Sequence, residues 1–232
     1  MSIWVRIGEF LSQVTTEAFS SVMDGVRTVF AGDPETRRQV GFSIAMIALS
    51  AKMAKADGVV TQDEVDAFRE LFAIPDDEAK NVARLFNLAK QDVAGYHSYA
   101  DRVKRLFPDD NVILVNVMDG LFHIAKADGL IHNNEMLFLD DVAGIFDLPD
   151  RAYESIKSRH LEPEEGDPYL QLGASKEWDK DQLKRHYRNL VVENHPDKLM
   201  AQGVPKEFLA IANDRLAGIN RAWDVIKRER GI

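Results

Sequence analysis

His195 and Asp197 flank Pro196 in the stretch ENHPDKLMAQGVP, Glu193 to Pro205, which follows a basic helical run. An imidazole and a carboxylate two residues apart could serve acid–base catalysis, metal binding or docking. Proline lacks a backbone N–H and drives the preceding residue toward extended geometry. The helix should therefore end at or before His195 and present both side chains on a rigid corner.

The three chemistries make different demands. Catalysis needs a substrate pocket and a partnered nucleophile, and a two-helix hairpin of about sixty residues offers little concavity. Nearby Ser and Thr show no triad logic. A metal would need more ligands than His195 and Asp197, and His186 lies most of a helix away. A structural corner, with Asp197 capping local N–H groups, stays open beside docking. Docking fits best, because an exposed rigid tripeptide beside basic residues combines a preorganised contact with electrostatic steering.

A second group of residues with chemical potential is acidic. AKADGVVTQDE, Ala54 to Glu64, returns as AKADGLIHNNE, Ala125 to Glu135, so Asp57, Glu64, Asp128 and Glu135 hold matching places. Gly58 and Gly129 can end a helix in left-handed geometry, and Thr61 with Glu64 reads as a capping box for the next helix. His132 and Glu135 occupy those places in the second copy. The alternative is a divalent cation held by these carboxylates near a pseudo-twofold axis. The spacing does not satisfy an EF-hand loop.

The elements that carry these residues read as helices throughout. Apolar residues recur at helical rather than strand spacing, which predicts an all-α fold. Each acidic repeat follows an apolar helix, VGFSIAMIALSAKM or NVILVNVMDGLFHI, and precedes another helix with a matching stop, LFAIPDD or IFDLPDR. Two such units facing each other make one bundle. Near the N-terminus Trp4, Ile7, Leu11, Val14, Ala18, Val22, Val26 and Val29 form an apolar stripe over a long helix. That stripe can pack on its own domain, self-associate, or lie on a membrane surface. Asp33 reads as a cap, with Pro34 at the first helical position.

LEPEEGDP, Leu161 to Pro168, reads as a linker. The expected organisation is an N-terminal amphipathic helix over 1–32, a bundle over 33–162 and a C-terminal module over 163–232. In the last, Asp179 and Gln182 form a capping box, and Leu183, Tyr187, Leu190 and Val191 share one face. Lys180, Lys184 and Arg188 form an opposite stripe with Arg185 beside it. Like charges at that spacing cost a few tenths of a kcal/mol per pair, roughly, so the stripe points to an acidic partner. A second helix buries Phe208, Ala212, Leu216, Ile219, Ala222, Trp223 and Ile226 against the first, leaving the corner at the tip.

Composition narrows the field further. The formal charge is −9, from 29 Lys plus Arg and 38 Asp plus Glu among 232 residues. Residues 167–232 hold 12 of the basic and 10 of the acidic residues, leaving 17 against 28 for residues 1–166. The acidic balance excludes nucleic acid as a general partner. With no cysteine there is no disulfide, thiolate zinc site or cysteine nucleophile. No segment reaches the roughly 18 apolar residues of a membrane span. The expected location is the cytoplasm, or the inner-membrane surface if the N-terminal stripe docks there.

The doubled AKADG…E helix ends resemble the tellurite-resistance TerB-like fold, over roughly Thr36 to His160. That resemblance implies an all-α bundle in which the acidic turn residues are candidate metal ligands. Tyr169-x-x-Leu172-Gly173, Tyr187-Arg188-x-Leu190, His195-Pro196-Asp197-Lys198 and Ile219-Asn220-x-Ala222-Trp223 are similar to the J domain of DnaJ-type co-chaperones, with Trp223 where the family has Tyr. The run His195 to Pro205, behind a TerB-like bundle, resembles the DjlA-like proteins in particular. The chain departs from them in lacking an opening membrane-spanning segment, and from larger co-chaperones in lacking a Gly/Phe-rich segment and a cysteine zinc module.

What the resemblance implies is a non-enzymatic co-chaperone. His195, Pro196 and Asp197, with Lys184, Arg185, Tyr187, Arg188 and Lys198, would contact a DnaK-type chaperone and stimulate its ATP hydrolysis. The bundle would select a client protein or a location, and no cofactor is expected beyond the candidate divalent cation. The alternative is a metal-binding or stress-sensing bundle with an accessory J domain.

Overall fold

Pro34–Ala56 and Asn111–Ala125 are apolar on nearly every side, and helices of that kind belong in the interior. The computed structural model describes residues 2–13, 22, 25, 26, 28–56, 62–92, 95–107, 111–161 and 166–232. In chain order the helices among them are α1 (Ile3–Gln13), α2 (Pro34–Ala56), α3 (Gln62–Leu71), α4 (Ala79–Gln91), α5 (Tyr96–Leu106), α6 (Asn111–Ala125), α7 (Asn133–Ile145), α8 (Asp150–Leu161), α9 (Pro168–Leu172), α10 (Lys180–Glu193), α11 (Pro196–Ala201) and α12 (Leu209–Arg230). A 3-10 turn, Lys206–Phe208, precedes α12. The fold is all-α, as expected, and no strand occurs among the described residues.

The centre is α2 with α6. Ile44 through Leu49, Ala51 and Met53 are buried, as are Ile113, Leu114, Met118, Leu121 and Phe122. The other bundle helices lay amphipathic faces on this pair, with α4 and α5 packed on α2 and α7 on both central helices. Asp33 Oδ1 accepts the Thr36 N–H at 3.0 Å and Pro34 opens α2, as the cap pattern predicts.

The matching stops of the repeat are structurally alike. After α3, the Ile74 N–H donates to the Arg69 carbonyl and the Ala73 N–H to that of Glu70. After α7, Leu148 donates to Ala143 and Asp147 to Gly144. Both are Schellman closures, and both place a residue other than glycine in left-handed geometry, Ala73 at φ 46° and Asp147 at φ 50°.

The N-terminal stripe is spent inside the chain. Trp4, Ile7, Leu11, Val22 and Val26 are buried in the bundle core, and the Trp4 Nε1–H donates to the Phe72 carbonyl at 3.0 Å. Val29 is on the surface, while Val14 and Ala18 lie outside the described residues.

The C-terminal module departs most from expectation. The second hairpin helix does not pack wholly on the first: Phe208, Ile211 and Ala212 belong to the bundle's core, together with Leu199 and Val204. The Phe208 ring lies 4.9 Å from that of Phe42 and 4.7 Å from that of Phe72. Gly120 on α6 admits this approach, since a Cβ there would stand 2.7 Å from Ile211 Cδ1. Glu207 Oε1 accepts the Ile3 N–H at 3.0 Å, placing a carboxylate at the start of α1 where orphan amides and the helix dipole favour it.

Candidate functional site

The hairpin that carries the corner is built as its capping signals predict. Asp179 Oδ1 accepts the N–H groups of Asp181 at 2.9 Å and Gln182 at 2.8 Å, and Gln182 Oε1 accepts the Asp179 N–H at 2.9 Å. Leu183 is fully buried. The Tyr187 ring stacks on Trp223 at 4.6 Å with 8° between planes, and its hydroxyl donates to Asn220 Oδ1 at 3.1 Å. Tyr187 thus holds α10 against α12 from within the hairpin.

The short helix α9 is strapped across the same unit. Asp167 caps it and Gly173 ends it at φ 66°. Arg230 Nε donates to the Tyr169 hydroxyl at 2.7 Å, and His186 Nε2 donates to the Leu172 carbonyl at 2.9 Å. His186 is therefore a positioning residue for α9.

At the tip, α10 ends at Glu193 and Asn194 closes it, its side-chain amide donating to the Leu190 carbonyl at 2.7 Å. His195 is extended (φ −68°, ψ 132°), as the following proline requires. Pro196 then does more than stop a helix. It opens α11, for which its fixed φ and missing N–H suit the first position.

His195 caps that new helix. Its Nδ1 accepts the Asp197 N–H at 3.2 Å, and the Asp197 carboxylate lies 3.8 Å from the same nitrogen. The His195 side chain is 54% exposed and that of Asp197 81%. A rigid backbone therefore holds an exposed imidazole and an exposed carboxylate side by side.

Beside the corner, Arg185 and Arg188 are exposed and Lys184 half-buried. Among the described residues none of the three makes an ion pair or side-chain hydrogen bond within the chain. Lys180, the first member of the stripe, instead donates to the Gly231 carbonyl at 3.1 Å and ties the hairpin ends together. Lys198 is exposed on α11.

The tail of the motif fastens the corner to the bundle. Arg38 on α2 donates to the Gln202 carbonyl at 3.2 Å. Gly203 sits at φ 95°, and a Cβ there would come 2.7 Å from Arg38 Cδ. Leu199 and Val204 are buried on either side of it.

Deeper in the same junction is a charged cluster the sequence reading missed. Asp119 on α6, 5% exposed, accepts from Arg159 Nη2 at 2.9 and 3.0 Å, lies 3.0 Å from His160 Nε2, and is 3.6 Å from Arg215 Nε on α12. Burial alone would push this carboxyl up; Arg159, His160 and Arg215 outweigh it and hold the group well below the ordinary carboxylate range. The signal was present: Asp119 is a lone charge in an apolar run, and a buried charge needs partners.

The acidic repeat does local work where it is described. Asp128 Oδ1 accepts the Leu130 N–H at 3.1 Å, its Oδ2 lies 3.4 Å from His132 Nε2, and Gly129 turns the chain at φ 97°. Glu135, 1% exposed, accepts the His132 N–H at 2.9 Å through Oε2. Asp57 and the side chain of Glu64 lie outside the described residues. Among the described residues no three His, Asp or Glu side chains are grouped to hold a metal ion.

Fold and site together define a class: an all-helical bundle with a helical hairpin fused to its core and a rigid, exposed His-Pro-Asp corner at the tip. The family model described as Tellurite resistance protein TerB matches residues 43–158. Co-chaperone protein DjlA of Photobacterium profundum is 26% identical over 221 residues, covering 84% of this chain and 80% of that protein. The protein of the same name from Legionella pneumophila is 25% identical over 231 residues, covering 83% and 78%. That of Photorhabdus laumondii is 35% identical over 118 residues, covering 48% and 43%. No solved structure matches the chain. The chain belongs to the TerB family and is DjlA-like over most of its length. No helix among the described residues is long and apolar enough to cross a membrane.

Proposed function

We propose that the chain is a co-chaperone whose C-terminal module is a J domain that docks on a DnaK-type chaperone and stimulates its ATP hydrolysis. The observation that carries this reading is the pairing of the exposed His195-Pro196-Asp197 corner with the unpaired cations of α10. Lys184, Arg185 and Arg188 attract an acidic surface, and the corner supplies the specific contact. Tyr187 acts from inside the hairpin, and Lys198 extends the positive surface onto α11. The names of the relatives support the co-chaperone role.

The chemistry belongs to the partner. A docking protein accelerates hydrolysis by binding the hydrolysis-competent conformation better than the others. The bundle, fused to the hairpin through Phe208, holds the corner at a set angle to whatever the bundle recognises, which suits selection of a client or a location. The test is the affinity of the full chain for a DnaK-type chaperone loaded with ATP or with ADP. Tighter binding to the ATP form is expected, weakened by reversing charge at Lys184 and Arg185, and weakened more at low salt than at high salt. Equal affinity for both forms would defeat the proposal.

A further inference from the structure

Where α12 crosses α6 and α8, a cavity of about 230 Å³ lies between the hairpin and the bundle. Its ionisable lining is Asp119, Asp214, Arg159, Arg215 and Arg221, with His123 and His160. None of these belongs to the corner or to the basic face of α10.

Arg215 is the anomaly. Its side chain is 9% exposed, and its Nε and Nη1 are buried without a hydrogen-bond partner. The nearest carboxylate cannot serve it fully, because Asp119 already accepts from Arg159 through both oxygens and lies against His160. That leaves Arg215 Nε 3.6 Å from Oδ2, beyond a good hydrogen bond. Burial, opposed chiefly by Asp119 and to a lesser degree by Glu193, draws the Arg215 guanidinium down to about 10, and the like charge of Arg159 adds to the fall. Buried guanidinium groups are retained where all their donors find acceptors.

The cavity supplies the missing room. Three guanidinium groups line it against the two carboxylates of Asp119 and Asp214. Arg221 is exposed at its mouth, and its side chain makes no hydrogen bond among the described residues. The planar donor fork of arginine matches an oxyanion with two or more oxygens, and a space of this size suits a small ion better than a drug-sized ligand.

We propose that this cavity is a binding site for a phosphate-sized oxyanion, held by the unspent donors of Arg215 with Arg159 and Arg221. Because α12 belongs to the hairpin and Arg159 to the bundle, the bound ion clasps the two together. The proposal stands apart from the docking reading, since it uses neither His195 nor α10.

The test is thermal unfolding and calorimetric titration of the full chain with inorganic phosphate, against chloride at matched ionic strength. Phosphate should bind saturably and raise the unfolding temperature where chloride does not. The mouth variant Arg221→Gln, remote from the core, should weaken phosphate binding about tenfold, the effect of losing one charge-assisted contact. Arg215→Met should abolish it, and His195→Gln should leave it unchanged. Equal responses to phosphate and chloride, or an undiminished response in Arg221→Gln, would overturn the proposal. So would a stronger response to ADP than to phosphate, since the ion would then be only part of a larger ligand.

Discussion

The Asp197 backbone N–H donates to His195 Nδ1 at 3.2 Å, so the two residues of the corner are joined by the bond that starts α11. This bond spends one ring nitrogen locally and turns the other outward. In neutral His195 the proton must therefore reside on Nε2. Long-range nitrogen–proton correlation spectra of the full chain at pH 8 should report the Nε2–H tautomer. A dominant Nδ1–H form would mean that the imidazole does not cap α11.

Phe208 ties the hairpin to the bundle, with rings of Phe42 and Phe72 within 4.9 Å of its own. Phe208→Ala should destabilise the full chain by about 3–5 kcal/mol, the usual cost of a large core truncation. Because that core runs through both parts, probes near Trp4 and near Trp223 should report one unfolding transition in urea. Separate transitions, or a bundle midpoint unmoved by the substitution, would show that the hairpin folds on its own terms.

Ala73 holds left-handed geometry with a side chain that gains nothing from it. Glycine removes the steric penalty, at some expense in unfolded-state entropy. Ala73→Gly should stabilise the chain by roughly 1 kcal/mol, read from the denaturation midpoint. A loss of stability would indicate that the closure after α3 is not the Schellman turn described.

Asp119 carries a definite pH signature. Its folded-state pKa is depressed, so its contribution is fully present above the ordinary aspartate value of 3.8 and is lost as pH falls from there through the depressed folded-state value. Asp119→Asn should cost about 3–5 kcal/mol at pH 7, since it leaves Arg159 and Arg215 without their carboxylate. The gap from wild type should then narrow in acid. His123, pulled down by burial despite the opposing field of Asp214, adds a loss of stability below about pH 6.5 that both proteins share. A gap that stays constant from pH 7 to pH 2 would contradict the assignment.

What could be read from the residues beforehand depended on how local the physics was. The Asp179 cap, the Asp33–Pro34 start, the Gly129 turn and the all-helical class follow from short-range rules, and each stands as expected. The corner was legible for the same reason, because Pro196 constrains its neighbours whatever surrounds it. Burial of Phe208 was also readable, but not which surface would cover it. Periodicity says that a face is apolar and is silent on its partner. The tail KLMAQGVP shows the same limit, for Leu199, Gly203 and Val204 use it to seat the hairpin on α2. Asp119 signalled a need for partners, but which residues supply them lay out of reach for a related reason. The cluster joins residues from α6, α8 and α12 that only the tertiary fold brings together.

The central claim rests on the corner, and steady-state ATP hydrolysis by a DnaK-type chaperone tests it most directly. Wild-type chain should raise the partner's rate. His195→Gln, with helical content and unfolding temperature unchanged by circular dichroism, should fail to raise it. Equal stimulation by the two proteins would contradict a docking role for His195.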